Sequence, residues 1–352
     1  MEQVVFLDAV HPVLFERLVA HGMSCRWENQ LSRDAILEGS LSNVHGIVLR
    51  SRLTLDLPML QAMPELRWIA RSGAGLENID TAAAADSGIQ VINSPEGNAA
   101  SVGEHVIGQL LMLLHKLHQA DRHVRIGGWD REAHRGSELG HQTVGIIGYG
   151  NMGRAFAQRL VGFDCRVLAH DIAKRGFNGE YGVEEVGMDA IFTHCDVVSI
   201  HVPLTEITEQ MVRTDWIHKF KKPIILINSS RGAVVDTLSV AEGLTSSHLR
   251  GAILDVLEYE KKSLEGLAAR PNALSALTRD DRVVLSPHVA GWSQESYFKL
   301  SNILADKILG AAKALKNSGH CGFARWCSKC RYWLGPEIWR ASPSSNGCRK
   351  PL

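Results

Sequence analysis

Three short segments of this 352-residue chain each end a predicted strand and present side chains able to do chemistry. Ile224–Val235 reads IILINSSRGAVV and offers Arg231. Gly251–Glu260 reads GAILDVLEYE and offers Asp255, Glu258 and Glu260. Arg282–Gly291 reads RVVLSPHVAG and offers His288. Open parallel sheets bind ligands beyond the carboxyl ends of their strands, so all three segments are expected at one crevice. A planar guanidinium holds a carboxylate through two parallel hydrogen bonds while polarising the adjacent carbonyl. Imidazole gives and takes a proton near neutral pH, and a carboxylate on its second nitrogen fixes the tautomer and raises its basicity. One arginine, one carboxylate and one histidine therefore suit reduction of a 2-oxo acid. Each residue alone reads equally well as a surface ion pair or a capping group; their joint placement points to chemistry.

Such a reduction needs a hydride source, and Thr143–Gly153 supplies a place for one. It reads TVGIIGYGNMG, a strand running straight into Gly148-x-Gly150-x-x-Gly153 and then a helix. The first glycine permits the tight turn, the second lets the backbone approach a pyrophosphate, and the third allows helix to pack on strand. The helix start offers free N–H groups to phosphate. The next strand ends at Asp171, 18 residues past Gly153. A carboxylate there accepts from both ribose hydroxyls and repels a 2′-phosphate, which favours NAD over NADP, although Lys174 and Arg175 follow closely.

The elements that must position these groups form two series. Candidate strands are Val4–Leu7, Gly46–Arg50, Trp68–Ala70 and Gln90–Ile92, then Thr143–Ile147, Cys165–His170, Asp196–His201, Ile224–Asn228, Gly251–Leu254 and Arg282–Leu285. Their apolar character is continuous rather than alternating, which marks strands of a parallel sheet buried on both faces. Helical patterns lie between them, at Glu104–His118, Met152–Val161 and Val234–Glu242, and the last is Gln294–Leu315. This alternation predicts an α/β fold with two doubly wound parallel sheets. Glu104–His118 is expected at the junction and in a dimer interface. If Gln294–Leu315 returns to the first sheet, segments near Asn98–Val102 and His288–Trp292 cross at a hinge over a cleft.

Composition narrows the class. Lys and Arg number 38, Asp and Glu 38, with 45% hydrophobic and 22% charged residues, ordinary globular usage. Zero net charge argues against bulk binding to nucleic acid. No apolar run reaches the roughly 18–20 residues of a membrane span, and the N-terminus lacks a signal peptide's pattern. Seven cysteines without framework spacing suit a reducing compartment, so the expectation is a soluble cytoplasmic protein. Cys165 and Cys195 read as core residues. The final 35 residues, Ser318–Leu352, differ: they hold four of the cysteines and carry +5 charge without periodicity. His320, Cys321, Cys327 and Cys330 there could ligate zinc, but a single C-x-x-C with irregular partners is weak, and no metal is expected. The tail is expected to be dispensable.

The segments SSRGAVVD, GAILDVLEYE and LSPHVAG, with GYGNMG upstream, resemble the D-isomer-specific 2-hydroxyacid dehydrogenases. RSGAGLENID (Arg71–Asp80), INSPEGNAASVGEH (Ile92–His105) and HVPLTEIT (His201–Thr208) resemble the same family, in its order, from Met1 to about Asn317. The resemblance implies a Rossmann NAD-binding domain inserted into a flavodoxin-like substrate domain. The expected boundaries are 1–100 and 288–317 for the substrate domain, 101–287 for the nucleotide domain and 318–352 for the tail. It implies that Arg231 binds the substrate carboxylate, that His288 is the acid/base and that Glu260 is its partner. Asp255 would hold the nicotinamide carboxamide, and Asn151, Met152, His201, Pro203, Thr208 and Ser229 would line the cofactor. Ser72, Gly73, Ala74, Gly75 and Asn98 would face the substrate. Where the family often has proline after its glutamate, this chain has Lys261 and Lys262, so Glu258 stays a rival of Glu260.

Gly46–Leu55 reads GIVLRSRLTL, and Arg50, Arg52 and Arg71 leave early strands. They suit a substrate with a phosphate as well as a carboxylate, and their segments resemble the phosphoglycerate dehydrogenase members of the family, which oxidise 3-phosphoglycerate on the way to serine. Hydroxypyruvate, glyoxylate or another 2-oxo acid is the alternative substrate, and an NADH-sensing regulatory protein the alternative class. The family's usual state implies a homodimer, and no regulatory domain of the kind found in longer relatives fits the tail.

Overall fold

The computed structural model describes residues 1–261, 266–269 and 271–317. The tail and its His320, Cys321, Cys327 and Cys330 lie outside the described residues. Met1–Ala311 form one compact unit, and of the second unit, 312–352, only the helical residues up to Asn317 are described.

The first sheet contains β1 (Gln3–Phe6), β2 (Ser24–Trp27), β3 (Gly46–Leu49), β4 (Trp68–Arg71) and β5 (Gln90–Asn93), all parallel, in the order β2-β1-β3-β4-β5. That is the flavodoxin-like order. The second contains β6 (Thr143–Ile147), β7 (Arg166–His170), β8 (Val183–Glu185), β9 (Val197–Ile200), β10 (Ile224–Asn228), β11 (Leu249–Leu254) and β12 (Val283–Leu285). Its order is β12-β11-β10-β9-β6-β7-β8, again all parallel. Read from β6, it runs 3-2-1-4-5-6 with one strand added, the dinucleotide-binding winding, and its direction reverses between β6 and β9.

The two faces of the larger sheet explain its unbroken apolar strands. Val144, Ile146, Val197, Ile225, Ile227 and Ile253 pack on one side beneath the helix Ala99–Leu114. Ile147, Val198, Ile200, Leu226 and Leu254 pack on the other with Trp216 and Phe220. Burying each such side chain contributes about 1.5–3 kcal/mol, so a strand covered on both faces cannot alternate with polar residues. Ala99–Leu114 buries Val102, Val106, Leu110 and Leu113 within the chain, and its continuity is broken at Lys116 (φ 52), after which Leu117–Arg125 starts as a separate helix with nothing buried.

The last helix, Gln294–Asn317, returns to the first sheet. Asn302 accepts from Arg17 through its carbonyl and its Oδ1 at 2.9 and 2.8 Å, and Ser301 Oγ accepts from His11 N at 3.1 Å. Lys307 Nζ donates to Asn93 O at 2.9 Å. The two crossing segments meet where Ser101 Oγ donates to Ala290 O at 2.7 Å.

Candidate active site

The glycine turn follows β6. Gly148 has φ +91, a conformation that favours glycine, and a Cβ there would stand 2.5 Å from the carbonyl of His201, the residue after β9. The two loops thus touch at the point where strand order reverses. A Cβ on Gly153 would meet Gly148 O at 2.0 Å, so the helix Asn151–Leu160 needs glycine to pack so close to the turn. At Gly150, by contrast, a Cβ would meet nothing within 4 Å, which leaves its backbone open to a phosphate. Asn151 is exposed at the helix start, and Met152 packs on the core.

Asp171 stands at the end of β7. Burial works against its charge, but N–H groups of Lys174, Ala173 and Tyr149 hold its carboxyl below the usual range. It is therefore an anion at neutral pH, fixed beside the glycine turn through Tyr149 N. His201 is buried; its Nε2 meets Ser199 Oγ at 2.8 Å, and burial pushes its pKa down to about 4, so it is neutral. His201 Nδ1, Ser229 Oγ and Asn98 Oδ1 are buried without a hydrogen-bond partner among the described residues. Buried polar atoms are normally satisfied, so three orphans along this crevice fit a polar ligand. Thr208 Oγ1 donates to Pro203 O at 2.6 Å and shapes the loop after β9.

Across the crevice, His288 Nδ1 lies 2.6 Å from Glu260 Oε2, and both are largely buried. Glu260 Oε1 is itself fixed by Leu257 N at 2.6 Å. Glu258 is turned elsewhere: its Oε1 accepts from Thr237 N at 2.8 Å. His288 has φ +55, sparsely populated by non-glycine residues, and Asp255 holds it there. The Asp255 carbonyl accepts from His288 N at 2.7 Å, Oδ1 from Val289 N at 2.9 Å and Oδ2 from Ala290 N at 2.9 Å. Ser286 Oγ adds a bond to Oδ1 at 2.5 Å and is in turn met by Gln109 Nε2 and His105 Nε2. Besides its expected contact to nicotinamide, Asp255 is also the post on which the His288 turn is built. His105 and Ser286 lie within motif segments, but the sequence assigns them no role, and Gln109 lies outside those segments.

Opposite them is the loop after β4. Ser72 is buried, and Ala74 O and Gly73 O are anchored by Asn93 Nδ2 and Ser94 N at 2.6 and 3.1 Å. The Arg71 guanidinium lies against Gly73, and that of Arg231 against Gly75. Arg50 stacks on Trp292, 4.2 Å from the ring centre. Burial and the charges of Arg231 and Arg50 depress Arg71 to about 10, with Glu77 opposing, so it stays cationic while crowded by like charge. Arg52 does not join them. Its nitrogens donate to Leu7 O, Leu31 O and Asp8 Oδ1, bracing the loop after β1. Arg231 also has a partner that the sequence did not suggest: its Nε donates to Glu77 Oε1 at 2.5 Å and its Nη1 to Ser230 O at 2.6 Å.

Among the described residues no group of three or more His, Cys, Asp or Glu could hold a metal, and no helix is long and apolar enough to cross a membrane.

Fold and site together define an α/β protein of two parallel sheets, with a glycine turn at a strand-order reversal and a histidine–carboxylate pair and an arginine on its loops. The chain belongs to the D-isomer specific 2-hydroxyacid dehydrogenase family: residues 107–290 match that family's NAD binding domain. NAD is the dinucleotide this family's domain binds, and the glycine turn, Asp171 and the orphaned polar atoms fit it. The chain is 32% identical over 314 residues to a D-3-phosphoglycerate dehydrogenase of Archaeoglobus fulgidus, covering 89% of this chain and 58% of that one. It is 34% identical over 278 residues to a hydroxypyruvate reductase of Thermotoga maritima, covering 79% and 88%. A D-lactate dehydrogenase of Aquifex aeolicus, solved with NAD and lactic acid, superposes with a TM-score of 0.76 at 26% identity over 90% of this chain and 97% of that one. The chain spans little more than half the length of the phosphoglycerate dehydrogenase relatives it matches.

Proposed function

We propose that the chain is an NAD-dependent dehydrogenase of a D-2-hydroxy acid bearing a second anionic group, with 3-phosphoglycerate, oxidised to 3-phosphohydroxypyruvate for serine synthesis, as its substrate. The observation that carries this reading is the gathering of Arg50, Arg71 and Arg231 about one loop. Glu77 and Asp8 offset part of this positive charge, and a substrate with a second anionic group could pair with more than one of the arginines. The 32% identity to a phosphoglycerate dehydrogenase accords with this choice, while the 34% identity to a hydroxypyruvate reductase makes hydroxypyruvate the alternative substrate.

Bound at the glycine turn, the cofactor supplies or accepts the hydride at C2. Asp171 disfavours a 2′-phosphate and so selects NAD. Arg231 grips the carboxylate and polarises the adjacent carbonyl. His288, with Nδ1 engaged by Glu260, keeps Nε2 to protonate the C2 oxygen on reduction and to take that proton back on oxidation. Glu260 stabilises the imidazolium that forms on oxidation. The closed turn held by Asp255 fixes where Nε2 points.

The chain works as a homodimer in this account. Leu117, Val124, Ile126 and Trp129, close in sequence beyond Ala99–Leu114, are exposed at 54, 51, 79 and 82% of their surface, and covering them would favour a second copy. Free Cys25, Cys165 and Cys195 suit a reducing cytoplasm.

The test is NADH oxidation with phosphohydroxypyruvate beside hydroxypyruvate, glyoxylate and 2-oxoglutarate. The expected result is a kcat/KM at least about tenfold higher for the phosphorylated acid, from one extra charge-assisted contact, with that margin lost in Arg71→Ala. Preference for an unphosphorylated acid would contradict the substrate, and NADH binding without turnover of any acid would contradict the enzyme.

A further inference from the structure

Glu77 and Arg231 come from different lobes, the loop after β4 and the end of β10, and are 154 residues apart. Besides the bond from Arg231 Nε to Glu77 Oε1, the other ends of both groups lie beside the same glycine. A Cβ on Gly75 would lie 2.1 Å from Glu77 Oε2 and 2.2 Å from Arg231 Nη2, so both atoms are pressed on the same glycine. On the Nε–Nη2 edge, which can grip a carboxylate side-on, Nε is thus already taken by a carboxylate of the chain itself. Nη1 is turned to Ser230 O. Partial desolvation works against its charge, but the Arg231 charge and hydrogen bond hold the half-exposed Glu77 below the usual carboxylate range, so the pair is ionic.

We propose that Glu77 is an internal stand-in for the substrate carboxylate, a positioning residue that occupies the Arg231 fork and must be displaced before any 2-oxo acid is held there. The proposal rests on Arg231 being the carboxylate holder. Displacement exchanges one arginine–carboxylate pair for another and gains little in itself. A lone carboxylate therefore binds weakly, and an acid with a second anion recovers affinity at Arg71 and Arg50. Because Glu77 leaves the fork whichever acid enters, its cost falls on KM and is the same for every acid.

The test is Glu77→Gln, an isosteric change that removes the charge. In steady-state NADH oxidation the expected result is a KM lowered about fivefold for glyoxylate, hydroxypyruvate and phosphohydroxypyruvate alike, the upper end for a partly exposed ion pair. The kcat should stay unchanged and NADH affinity, followed by its fluorescence, should match the parent chain. Glu77→Asp, one methylene too short to span the lobes, should lower KM in the same direction. Calorimetric titration of the NADH-loaded protein with oxamate should show the same tightening without turnover. Unchanged or raised KM and oxamate affinity no tighter in Glu77→Gln would overturn the proposal. The ratio between acids, which Glu77 leaves alone, separately tests the substrate assignment.

Discussion

Glu260 Oε2 lies 2.6 Å from His288 Nδ1, and the glutamate's other oxygen is pinned by Leu257 N, so the carboxylate cannot rotate away from the imidazole. The ring is held in the tautomer that carries its proton on Nδ1, which leaves Nε2 to exchange a proton with substrate. Glu260→Gln keeps the shape and removes the charge that stabilises the imidazolium. We expect kcat to fall by about 10²-fold, at the low end of what general acid–base catalysis contributes, with oxidation of the hydroxy acid hurt more than reduction of the oxo acid. Initial rates in both directions check this.

Asp255 joins the nucleotide lobe to the catalytic turn. Its two oxygens receive Ser286 Oγ, Val289 N and Ala290 N, all donors. In Asp255→Asn one oxygen becomes an NH2 group facing another donor. That leaves a buried donor unsatisfied, which costs about 1–3 kcal/mol, and releases His288 from its positive φ. We expect a lower melting temperature together with a fall in kcat, measured by thermal unfolding and by NADH oxidation on the folded variant.

His201 gives the fold a pH dependence of definite sign. Burial holds its pKa near 4 in the folded chain, against about 6.5 when unfolded. Between those values the unfolded chain takes up a proton that the folded one refuses, so this contribution is complete above pH 6.5 and is lost as pH falls toward 4. It is on the order of 1–3 kcal/mol. Urea unfolding at pH 7.5 and pH 4.5 should show a smaller pH-dependent loss in His201→Gln than in the parent chain; equal losses would refute it.

The central strands of the larger sheet are legible because burial on both faces leaves an unbroken apolar run, as in Ile224–Asn228. β2 and β8 are not, because they lie at sheet edges and read as SCRW and VEE, where one neighbour and exposed backbone remove the demand for apolar residues. Glu104–His118 reads as one helix, but Lys116 adopts a left-handed conformation that lysine does not advertise. Val234–Glu242 reads as a helix as well. The chain instead starts it at Thr237, where Asp236 caps Ser239 N. In the site, Arg231, Glu260 and His288 stand out because each follows a strand. Glu77 and Ser286 do not, because their significance lies in partners far along the chain, Arg231 and Gln109. Arg52 looks like Arg50 in sequence; only the carbonyls of Leu7 and Leu31 show that its guanidinium is already used.

The most direct test of the account is His288→Ala, assayed for NADH binding by fluorescence and for NADH oxidation with phosphohydroxypyruvate. The glycine turn and Asp171 are untouched by the change, so NADH affinity should be unaltered and kcat should fall by about 10²–10⁴-fold, the contribution of a positioned acid/base. Turnover within a few-fold of the parent chain, or loss of NADH binding along with turnover, would contradict the placement of His288 at the reacting oxygen.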